Sequence, residues 1–92
     1  MEIEKLITAL EKTISFLQRS GSSDWANMSV EELIQELESV IATIKNSGDI
    51  DEHLLGFLFA PTAAIQETAI DNGWGDDFLR TSEIIDQFTR NI

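Results

Sequence analysis

Ser29-Val30-Glu31-Glu32-Leu33-Ile34-Gln35-Glu36-Leu37-Glu38-Ser39-Val40-Ile41-Ala42-Thr43-Ile44-Lys45-Asn46-Ser47-Gly48 is the stretch that decides the fold. Val30, Leu33, Ile34, Leu37, Val40, Ile41 and Ile44 recur at intervals of three and four, the stripe of an amphipathic helix. Ser29 stands at the N-cap with Glu32 three residues on, a capping box, and Met28 and Leu33 occupy the positions of a hydrophobic staple. Asn46-Ser47-Gly48 ends the pattern. Such a helix is stable only if its apolar stripe is buried against another element.

The partner lies upstream. Ile3, Leu6, Ile7, Leu10, Ile14 and Leu17 form a second helical stripe, so a helix is expected over Glu2 to Arg19. Glu2 and Glu4 in its first turn and Arg19 in its last suit the helix dipole. Ser20-Gly21-Ser22-Ser23 breaks it. The two helices should pack as an antiparallel hairpin joined by a loop of about nine residues.

Downstream, Asp49-Ile50-Asp51-Glu52 is another capping signature, opening a short helix through Phe59. Leu54, Leu55, Phe57, Leu58 and Phe59 cover most of its circumference, which places it centrally or at an interface. A strand over Leu54 to Ala60 would have no partner strand elsewhere in the chain. Pro61 stops the helix and can open the next. That fourth helix is expected over Thr62 to Asp71, with Ile65, Ala69 and Ile70 inward. Asn72-Gly73 reads as its C-cap, with Trp74 folding back on the last turn. Gly75-Asp76-Asp77 then starts a fifth helix reaching Arg90, burying Phe78, Leu79, Ile84, Ile85 and Phe88. Ser82 within that stripe would allow a close backbone approach. The expectation is a single all-α domain over residues 1–92, a four- to five-helix bundle.

Composition agrees. The chain has 92 residues, 42% of them apolar, and a formal charge of −11 from 17 acids against 6 bases. That length holds one domain, with a folded surface of roughly 5,300 Å². The charge argues against nucleic acid or an anionic membrane as partner. With no Cys there are no disulfides, thiolate zinc sites or Cys nucleophiles. Met1-Glu2-Ile3-Glu4 lacks the cationic start of a secretory signal, and no apolar run approaches the about 20 residues of a membrane span. A cytoplasmic protein is expected.

The charge is unevenly placed. Residues 1–19 hold three acids and three bases, and residues 80–92 hold two of each. Residues 20–79 hold twelve acids against Lys45 alone, so the whole net charge sits there. Helix first turns account for part of this, since Glu31, Glu32, Asp51, Glu52, Asp76 and Asp77 fall in or near them. A solvated acidic face and a docking surface for a basic protein are both compatible with the pattern. A docking surface would speed association by electrostatic steering.

Little points to catalysis. Asp71-Asn72-Gly73-Trp74-Gly75-Asp76-Asp77 is rich in oxygen and glycine but lacks the ligand spacing and distal Glu of a calcium loop, and reads as a helix junction. His53, the only histidine, lies beside Asp49, Asp51 and Glu52 and reads as a solvated or core-edge residue. Gly73-x-Gly75 is not completed into a phosphate fingerprint. A non-enzyme needing no cofactor or metal is expected. Trp25, in the polar loop Ser22 to Asn27, either caps the bundle end or protrudes as a binding anchor. Trp74 reads as core. If Phe57 or Phe59 stays exposed, a homodimer through the Leu54–Phe59 helix or a partner interface follows.

Leu58-Phe59-Ala60-Pro61-Thr62-Ala63-Ala64-Ile65-Gln66-Glu67, with Ile70-Asp71-Asn72-Gly73-Trp74-Gly75 and Phe78-Leu79, resembles a family of small uncharacterised bacterial proteins over residues 54–88. In size and charge such proteins are similar to immunity proteins of bacterial toxin systems, including the helical ones of nuclease colicins. The latter bear a tyrosine-containing recognition segment, and this chain has no Tyr, so no residue carries over. The charge map, alongside that likeness of class, leads to the expectation of a non-enzymatic protein-binding module, an immunity protein or inhibitor that masks a basic partner such as a toxin nuclease. The residues expected to meet that partner are Trp25, Glu31, Gln35, Glu38, Asp49, Asp51, Glu52, Asp76 and Asp77. The alternative is a homodimeric structural or scaffolding protein.

Overall fold

The capping box at Ser29 is formed. Ser29 Oγ accepts the Glu32 N–H at 3.2 Å, and Glu32 Oε1 accepts the Ser29 N–H at 3.0 Å. The helix it opens stops at Gly48, whose φ of 77° is a left-handed conformation open to glycine and whose N–H closes on the Ile44 carbonyl at 2.9 Å. The computed structural model describes residues 2–21, 28–60 and 63–89. Among these residues 81% are helical and none is in a strand. The helices are α1 (Glu2–Gln18), α2 (Val30–Ser47), α3 (Glu52–Leu58), α4 (Ala64–Asp71) and α5 (Gly75–Thr89).

The two long stripes meet as the periodicity requires. α1 and α2 run antiparallel, with Glu11 Oε2 at 3.9 Å from Lys45 Nζ and Ile14 sharing a groove with Ile41 and Ala42. Leu6, Leu10, Leu17, Leu33 and Leu37 are fully buried between these helices and the rest of the bundle. Burial of each such side chain is worth about 1.5–3 kcal/mol. α5 also packs on α1, and α3 and α4 pack on α5, adding Leu55, Leu58, Ile65, Phe78 and Ile85 to one core. The accessible surface, 5538 Å², is close to the scaling value for a chain of this mass.

α3 begins at Glu52 because Asp51 Oδ1 accepts the Leu54 N–H at 3.0 Å, so Asp49 and Ile50 precede the helix. It turns Leu55, Leu58 and Phe59 inward and leaves Phe57 64% exposed. α4 starts at Ala64, two residues later than expected. Pro61 and Thr62 lie outside the described residues.

Two inward assignments are corrected. Ile70 is 57% exposed and Leu79 is 53% exposed. At 100° per residue, the arc set by Ile65, Thr68 and Ala69 points Ile70 away from the core, and the arc of Phe78, Thr81 and Ile85 leaves Leu79 outside it. Threonines take the inward places. Thr13, Thr68 and Thr89 donate their hydroxyls to the carbonyls of Ala9, Ala64 and Ile85, which leaves their methyl groups to face the core.

Candidate interaction surface

The acids sort into groups by the elements that carry them. Glu31, Gln35 and Glu38 are exposed along the outer arc of α2, opposite its buried stripe. Glu38 also borders an open groove of about 380 Å³ between α1 and α2, shared with Glu11, Ile14, Ile41, Ala42 and Lys45. Asp49 and Asp51 are exposed at the α2–α3 turn, and Glu52 is half-buried. Asp51 serves as the cap of α3. Asp76 is exposed and Asp77 half-buried in the first turn of α5. α1 packs against both α2 and α5, so the α2 acids and the α5 acids stand on different flanks rather than in one patch. Trp25 lies outside the described residues.

Glu32, like Asp51, has a structural task. The backbone N–H of Ser29, and then its hydroxyl, hold the Glu32 carboxyl below the ordinary glutamate value by stabilising its charged form.

The cations gather where the sequence sums to zero. Lys5, Lys12 and Arg80 line a groove of about 410 Å³ between α1 and α5, with Glu4, Thr8, Ala9, Thr81 and Ile84. Arg80 also stands 3.9 Å from Asp77. This grouping was not legible from linear charge counts, because Arg80 reaches Lys5 and Lys12 only through the packing of α5 on α1.

The glycine-rich junction between α4 and α5 is a structural joint. The Trp74 N–H bonds the Ala69 carbonyl at 2.9 Å and the Gly73 N–H bonds that of Ile70 at 3.3 Å, the paired closure of a Schellman motif, with Gly73 at φ 83°. The Asn72 side chain accepts from the Gly21 N–H at 3.0 Å and donates to the carbonyls of Gly21 and Thr68. His53 is exposed. Among the described residues no group of three His, Asp or Glu side chains is placed to hold a metal, and no helix is long and apolar enough to cross a membrane.

Fold and surface together define a small acidic all-α bundle. Comparison with protein-family models, curated proteins and solved structures finds no match to this chain.

Proposed function

We propose that the protein is a non-enzymatic binding module for a basic protein, acting as an inhibitor or immunity protein that masks a cationic partner such as a toxin nuclease. The observation that carries this reading is that exposed apolar side chains occur in the acidic part of the chain. Phe57, Ile70 and Leu79 are the large apolar side chains exposed among the described residues, and all three fall within the segment that holds the entire net charge. A surface serving solubility alone needs the acids but not the apolar side chains. An interface uses both, with charges setting encounter and selectivity and a few apolar anchors holding the complex.

The test is capture on immobilised protein from the source cell at low salt. A basic protein should be retained, should elute as ionic strength rises, and should associate more slowly with the doubly reversed variant Glu31→Lys, Glu38→Lys. Retention of no basic protein would remove the reading. A second reading, a homodimer through α3, is favoured only by the exposed Phe57 ring. Sedimentation decides it, because a monomer unaffected by Phe57→Ser leaves that helix no interface to form.

A further inference from the structure

We infer that the anchor point of this surface is the seam formed by Ile70, Gly75 and Leu79, and that it seats a large apolar side chain from a segment of a basic protein flanked by lysine or arginine. The inference rests on the reading of the protein as a binder of basic partners and names the place and the chemistry. Ile70, in the last turn of α4, has its side chain beside Gly75: a Cβ built on that glycine would lie 3.7 Å from Ile70 Cγ1. Leu79 stands one turn further along the same face of α5. Two exposed branched side chains thus flank a position that has no side chain of its own. A single exposed leucine is ordinary on a protein surface. Two such side chains on either side of a glycine, one in the last turn of α4 and one on α5, gather apolar surface at one place.

The rim states the partner. Asp76 and Glu83 lie three residues before and four residues after Leu79, on the same side of α5. Both are exposed. The nearest cation in sequence, Arg80, is turned to the other side of the helix, where it meets Asp77 and lines the α1–α5 groove. The seam is therefore apolar and bordered by two carboxylates along α5, the complement of an apolar side chain with cations beside it.

The experiment uses the intact chain with labelled isoleucine and leucine methyl groups. The probe is a short synthetic peptide of leucines and lysines patterned as an amphipathic helix, with a scrambled peptide of equal charge as control. The patterned peptide should shift the Ile70 and Leu79 methyl signals, and the scrambled one should bind more weakly. Ile70→Gln and Leu79→Gln should each weaken binding about tenfold, the scale of an anchor residue. Gly75→Ala places a methyl group between the two side chains, in ordinary contact with Ile70, so it should weaken binding while leaving the melting temperature unchanged or higher. Shifts confined to α2 around Glu31, Gln35 and Glu38 would overturn the seam and keep the acidic binding module. No shift with either peptide at low salt would overturn both. A dimer of the unmodified chain that Leu79→Gln disperses would give the seam to a second copy and overturn the assignment to a basic partner.

Discussion

Trp74 lies flat on Phe16, with ring centroids 4.9 Å apart and planes 12° from parallel, and its Nε1–H donates to Ser20 Oγ at 2.8 Å. Ser20 in turn donates its hydroxyl to the Phe16 carbonyl at 2.8 Å. A stacked pair and a two-bond relay thus tie the C-terminal end of α1 to the start of α5. The Asn72 bonds to Gly21 run beside them. This joint orients α5, and with it the Ile70–Leu79 seam.

Removing the ring should therefore be costly. Trp74→Ala is expected to lose about 3–5 kcal/mol, the range for deleting a large buried aromatic side chain. Trp74→Phe can keep the stack and loses the hydrogen bond, at about 1 kcal/mol. Urea denaturation of the two variants measures both, and a Trp74→Ala loss no larger than that of Trp74→Phe would show that the stack contributes nothing.

The glycines should separate by backbone conformation. Gly48 and Gly73 have φ of 77° and 83°, so an alanine at either is strained by about 1–2 kcal/mol although open space surrounds both positions. Gly75 has no such φ and would place its new methyl in ordinary contact with Ile70. Gly48→Ala and Gly73→Ala should lower the melting temperature, and Gly75→Ala should not. Calorimetry on the three variants orders them.

The capping box gives a local pH dependence with a definite sign. Because the folded-state pKa of Glu32 is lowered, its contribution is present at pH above the ordinary glutamate value and is lost as pH falls through the lowered one. Protonating the surplus acids relieves repulsion at the same time, so global stability mixes the two effects. Hydrogen exchange of the first-turn amides of α2 isolates the cap. They should open on acidification in the unmodified chain, and less so in Glu32→Gln, which retains the reciprocal bond without the titrating group. Ser29→Ala should cost about 1 kcal/mol at neutral pH.

Elements with strong local signals were readable from residues alone. The α2 stripe, its cap and its glycine stop all lie within one segment, and the α1 stripe has the same period. The inward positions of α4 and α5 were less legible because threonine is polar in composition and apolar in place once its hydroxyl bonds the preceding turn. Counting Ile70 and Leu79 as core followed from their chemistry, whereas Thr68 and Thr81 hold the inward arc. The candidate surface was legible as charge but not as geometry. Asp76 and Glu83 bracket Leu79 only once Leu79 is known to face outward, and Arg80 joins Lys5 and Lys12 only through the packing of α5 on α1.

Charge and seam should act on different rate constants. Glu31→Lys with Glu38→Lys changes the field of α2 without touching Ile70 or Leu79. It should lower the association rate with a basic partner about tenfold or more at low ionic strength. That difference should shrink at physiological salt, where charges farther apart than about 8 Å are screened. Leu79→Gln leaves the charge unchanged and removes apolar contact, so it should raise the dissociation rate and leave association nearly unaltered. Its effect on folding should stay within about 0.5 kcal/mol, as for other exposed positions. Stopped-flow binding at two salt concentrations reads all four values. If Leu79→Gln slowed association and spared dissociation, the side chain would belong to the encounter rather than to the anchored complex, and the division of roles between carboxylates and seam would fail.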